Sequence, residues 1–298
     1  METILDQQIV TTREIVTMHT PPAQPGFLGQ DHTARAIIQT DFDHSDPFII
    51  LMDDQLDKKN DEPVGGPHPH AGFETVTLIL EGELGDTEHT MKAGDFQIMT
   101  AGSGIVHTET IDRKMKMRIL QMWLNLPKQE RWAQPRVQDI VLENVPKLIN
   151  DEQEIRVYSG SFAGLTSPIQ NYVPLIVADL QLKPGAQTSR QLPASYTAFL
   201  YVIDGSVSIG NDQSTLREGQ VGWLNRMSGD GLSELKLLAG EGGVRVILYA
   251  AQPQQDPIVS YGPFIADTQD EIRELYRDFR QGKMNHVSTL PQDRQIVY

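Results

Sequence analysis

Four residues in the first half of the sequence have the types and the spacing of a metal site. His68 and His70 stand two apart in GGPHPHAGFETVTLILEG (65–82), and His107 and Glu109 repeat that spacing in AGSGIVHTE (101–109). In an extended chain, residues i and i+2 project to the same side, so each pair presents two ligands to one face. Two such pairs on facing strands can surround a single ion. Three neutral imidazoles and one carboxylate suit a borderline divalent metal such as Fe, Mn, Co, Ni, Cu or Zn, whereas Ca and Mg prefer all-oxygen shells. A six-coordinate ion would keep two positions for water, O₂ or a chelating substrate, while a tetrahedral zinc would be saturated. The other histidines, His19, His32, His44, His89 and His286, are read as packed or hydrogen-bonded residues with no part in the site.

The elements that must position these side chains are strands. From about residue 34 to 251, short β-branched or aromatic runs are broken at close intervals by Gly, Asp, Asn and Pro, the pattern of an all-β barrel or sandwich. Helical periodicity is clear only near the end. There Thr268 and Glu271 form a capping box ahead of Ile272, Leu275, Tyr276 and Phe279, and Gly282 stops the helix.

The halves repeat one another. VTLILEG (76–82) matches LYVIDG (200–205), and MKAGDFQIM (91–99) matches LREGQVGWL (216–224), so two similar barrels in tandem are expected. The boundary is placed near Asn150, in a stretch interrupted by Pro127, Pro135 and Pro146. This divides the chain into an arm or lead-in to the first barrel (1–33), a first barrel with the metal site (34–150) and a second barrel ending in the helix (151–298). The repeat sets Gln191 and Pro193 where His68 and His70 stand, and Leu232 roughly where His107 stands. The second barrel is therefore expected to hold no metal and to act as structure, lid or interaction surface.

Composition narrows the partners. The 298 residues carry a formal charge of −15, which repels nucleic acid and anionic membranes, and the basic run at 113–118 reads as the solvated face of a strand. There is no cysteine, which excludes disulfides, thiolate metal sites and thiol nucleophiles. No stretch approaches eighteen apolar residues and segment 1–10 has no apolar core, so a cytoplasmic protein is expected.

HPHAGFETV (68–76) and MTAGSGIVH (99–107) resemble the two signature blocks of pirins, within the cupin superfamily. LQMWLNLP (120–127) and YGPF (261–264), followed by the helix, extend the resemblance over residues 34–282. It implies two tandem cupin barrels, with iron in the first held by His68, His70, His107 and Glu109. Cupins in general draw a carboxylate from the position of Glu74, which strand parity also puts on the ligand side. Glu74 is thus the alternative or supporting carboxylate. Ala71 departs from the family, where many pirins carry Arg.

The resemblance further implies quercetin 2,3-dioxygenase activity, in which O₂ opens the central ring of a flavonol and carbon monoxide leaves. Glu109 would then be both ligand and general base. Phe73, Met99, Met122 and Trp123 are candidates to line a site for a flat aromatic substrate, although core packing is the simpler reading for all four. The alternatives are a metal-responsive partner of regulatory or metabolic proteins without turnover, and a barrel in which the metal is only a staple.

Overall fold

The computed structural model describes residues 11–29, 31–39, 42–85 and 90–298, so His89 and segment 1–10 fall outside it. Strands dominate, and alternation along them shows why. In Phe73–Glu81 the side chains of Val76 and Leu78 enter one apolar cluster, while Phe73 and Ile79, of opposite parity, enter others. Such a strand is buried on both faces, one toward the inside of its own barrel and one toward the other barrel.

The first sheet runs Ala23–Pro25, His32–Gln39, Phe48–Lys58, Met115–Asn125, Phe73–Glu81, Phe96–Thr100, Arg136–Ile140 and Gln295–Val297. Beside it, Val64–His70 and Ile105–Ile111 form a separate antiparallel pair. The second sheet runs Ile15–His19, Val221–Leu224, Thr197–Ile209, Leu232–Ala251, Leu175–Leu182, Gln153–Ser159 and Lys147–Ile149. Gln187–Pro193 pairs on Leu232–Ala251 in the same sheet. These are the two similar barrels that the repeat anticipates. They press together through a shared core in which Phe48 meets Phe199 edge to face at 5.1 Å and Phe96 meets Tyr158 at 5.3 Å.

The terminal segments cross between the barrels. Ile15–His19 pairs with Val221–Leu224 of the second sheet, whereas Ala23–Pro25 pairs with His32–Gln39 of the first. The arm is therefore only in part a lead-in to the first barrel. Arg13 is completely buried against the second barrel; its guanidinium donates to the carbonyls of Pro193, Ala194, Tyr196 and Asn225, and Nε donates to Ser233 Oγ at 2.8 Å. In the other direction, Gln295–Val297 pairs parallel with Arg136–Ile140 of the first sheet. The second sheet also begins before residue 150, since Lys147–Ile149 pairs with Gln153–Ser159.

The helix spans Gln269–Arg280 with the expected capping box, and Gly282 follows at φ 69°. Its Ile272 and Leu275 pack with Ala71 and Phe264, so it lies beside the loop that follows His70. The basic run departs from its solvated reading at one position. Lys114 and Lys116 are exposed, but Arg118 turns inward to grip the buried Asp53, because the sheet face it occupies is covered by the second barrel.

Candidate metal centre

Val64–His70 and Ile105–Ile111 pair so that His68 lies opposite His107 and Gly66 opposite Glu109. Side chains of one parity then share a face, and the nitrogens offered by His68, His70 and His107 all lie within 4.8 Å of one another. His68 Nε2 and His107 Nε2 are 2.8 Å apart. That is close to the edge of about 3 Å which two nitrogens, each about 2.1 Å from one ion, subtend at a right angle. Glu109 stands next to them, with its oxygens 3.9 Å from His68 Nε2 and 4.0 Å from His107 Nδ1.

The surroundings prepare the imidazoles as ligands. His68 Nδ1 faces the Gly66 carbonyl at 2.9 Å, which holds the proton on Nδ1 and leaves the Nε2 lone pair for a metal. Burial lowers the pKa of His70 to about 3, with the charge of His68 as the next cause; the Pro263 carbonyl opposes this. His70 Nδ1 nevertheless makes no well-formed hydrogen bond. Burial also holds His107 well below its ordinary value, reinforced by His70, His68 and His286. Both rings are therefore neutral near pH 7, the form that binds metal. Glu109 is pushed up by burial, with His68 acting against the shift and Asp54 adding to it. The three histidines could hold a divalent ion, and their donor chemistry fits one of the borderline metals.

Glu74 does not share this face. It is buried with Val76 and Leu78 on the side toward the second barrel, where Thr100 Oγ1 donates to its Oε1 at 2.7 Å and Oε2 has no partner. Parity counted from His70 fails because the strand is interrupted at Ala71 and Gly72. Gly72 takes φ 86°, and a Cβ there would stand 1.9 Å from the Ile265 carbonyl oxygen. After this break it is Phe73 that meets His70, with ring centroids 5.2 Å apart. Trp123 lies 5.3 Å from His70 and stacks on Phe73 at 4.3 Å. Of the four apolar candidates these two adjoin the histidines, whereas Met122 belongs to the core between the barrels and Met99 to a separate cluster.

The remaining histidines that the structure describes stay outside the group. His32 is buried and bonded to Asp54 at 2.9 Å, His44 packs on Trp223, and His286 bonds Thr108, on the opposite face of the His107 strand. His286 still bears on the site through its charge. In the second barrel the matching pair of strands sets Pro193 opposite Leu232 and Gln191 opposite Glu234. Against His70 opposite Ile105 and His68 opposite His107, this makes Glu234 the counterpart of His107, two residues beyond Leu232. Among the described residues the second barrel has no metal-ligating cluster.

Comparison with known proteins agrees with this architecture. Residues 30–124 match the pirin family model and 177–285 the pirin C-terminal cupin domain. Human pirin is 34% identical over 258 residues, covering 84% of this chain and 86% of its own. A quercetin 2,3-dioxygenase structure from Acinetobacter baumannii superposes with a TM-score of 0.80 at 28% identity, over 93% of this chain and all of the other. The Escherichia coli pirin YhhW, solved in complex with nickel(II), shares the fold with a TM-score of 0.59 at 16% identity, over 80% of this chain and 99% of the other. With two cupin domains, a three-histidine cluster in the first and these relatives, the chain belongs to the pirin family.

Proposed function

We propose that the protein is a metal-dependent dioxygenase of the quercetin 2,3-dioxygenase type, acting on a flavonol-like aromatic substrate. The observation that carries this reading is the convergence of His68, His70 and His107 beside a carboxylate and a stacked aromatic pair. His68, His70, His107 and Glu109 would hold the ion, Fe(II) in this reading. A bound ion supplies a Lewis-acidic, redox-active centre at which a hydroxylated aromatic and O₂ can meet.

The chain's own groups supply the rest. Glu109, raised by burial, is suited to take the proton of the substrate hydroxyl. Phe73 and Trp123 pack against the ring of His70, and with Ile49 and Ile265 they make that flank apolar.

The test is anaerobic reconstitution with Fe(II), Mn, Co, Ni, Cu or Zn, followed in air by quercetin loss and carbon monoxide release. Turnover is expected to require metal and to collapse in His68→Ala and in Glu109→Ala. One bound metal per chain with no turnover in any loaded form would remove the enzymatic reading and leave that of a metal-responsive binding protein.

A further inference from the structure

Two ion pairs occupy matching places in the two barrels. Asp53 pairs in register with Leu120, and Asp179 with Ile247; the arginine in each case lies two residues before that partner, at Arg118 and Arg245. Each guanidinium grips its aspartate through Nε and Nη2, Arg118 at 2.9 and 2.8 Å and Arg245 at 3.0 and 2.8 Å. The aspartate side chains are sealed at 0% and 1% exposure, whereas the arginines keep 23% and 29%. Such forks fix both cations in direction and leave Nη1 of each outside the grip.

Both arginines line one cleft of about 650 Å³, together with Lys183 and the apolar Ile149, Leu182, Ile203 and Val244. They are near enough for the charge of Arg118 to act on Arg245. Each guanidinium is balanced by its own aspartate, so what an incoming anion would meet is the exposed part of the two fixed guanidiniums together with Lys183. Of the acids at the cleft, Glu154 is tied to Arg156 at 2.5 Å and Asp204 lies exposed. These acids set a limit, because a polyanion would meet them while a single carboxylate need not.

We propose that this cleft binds a small organic monocarboxylate, with its charged end on Arg118 and Arg245 and its apolar body on the exposed Ile149. Inorganic phosphate, with more charge and no apolar body, fits the lining less well. The cleft shares no lining residue with the histidine cluster, so the inference is independent of the enzymatic reading.

The experiment titrates the metal-loaded full chain with benzoate and, separately, with inorganic phosphate. Calorimetry and the methyl NMR signals of Ile149, Leu182, Ile203 and Val244 report binding. One saturable benzoate site that moves those methyls is expected. Lys183→Glu, which leaves both forks intact, should weaken it several-fold, and Arg245→Gln combined with Asp179→Asn, a neutral replacement of one fork, by about tenfold. His68→Ala should leave it unchanged. Failure of benzoate to saturate, loss of its binding in His68→Ala, or tighter binding of phosphate at the same methyls would each overturn the proposal.

Discussion

The same pair of strands occurs twice in this molecule, and among the described residues one copy carries a histidine group that could hold a metal. In the first barrel His68 faces His107, and in the second Gln191 faces Glu234 at the matching register. A tail lies against each pair: Val106 bridges His286 in parallel, and Glu234 bridges Thr12 in parallel. Even so, the tails differ in kind, since the side chain of His286 stays at the surface while Arg13 is buried whole. Backbone frame and side-chain chemistry are thus separable. The repeat preserves the frame, and a few residues decide whether its face presents a group that could hold an ion.

The largest test of that difference is His107→Ala against Glu234→Ala. The first should lower metal affinity roughly a thousandfold, about 4 kcal/mol, in a competitive titration, and the second should leave it unchanged. Equal losses would break the comparison. Next comes Arg13→Met against His286→Ala. Deleting the buried guanidinium leaves its carbonyl acceptors unsatisfied and should cost about 3 kcal/mol in urea unfolding; the half-buried His286 should cost under about 1 kcal/mol.

The last test concerns Glu74, whose place in the second barrel is taken by Thr197 when Gly82 is aligned with Gly205. Burial raises Glu74 to about 7, while the Thr100 hydrogen bond and Arg136 pull the other way. The folded chain therefore keeps this proton longer than the unfolded chain does. Stability associated with the group is complete below the ordinary carboxyl value and is lost as pH rises through about 7, by about 3 kcal/mol. Glu74→Gln should flatten this slope in urea midpoints between pH 5 and pH 8, whereas Thr197→Val should leave it intact.

The histidine cluster was legible because strand periodicity is local: His68 with His70, and the strand with His107, need only extended backbone to present one face. The capping box of the helix was legible for the same reason. Glu74 was misplaced because parity survives only while the strand does, and Gly72 breaks it with a left-handed conformation that the letters HPHAGFE do not announce. Glu234 was missed by two residues because Gly turns align loops, while register is set by pairing along the long strand Leu232–Ala251. The embrace of Asp53 by Arg118 was hidden because a covered sheet face and a solvated one can carry the same alternating pattern. The exchange of termini joins residues well over a hundred positions apart, and nothing in either segment names its partner.

That exchange sets a timetable for a chain made from one end to the other. Arg13 leaves the ribosome 220 residues ahead of Ser233, its partner, and at roughly 5 to 20 residues per second it waits roughly ten to forty seconds. The first barrel, begun early, receives its edge strand only when residues 295–297 have been made. Neither barrel is finished in the order in which it was started, and the histidine strands are made well before the tail that flanks them.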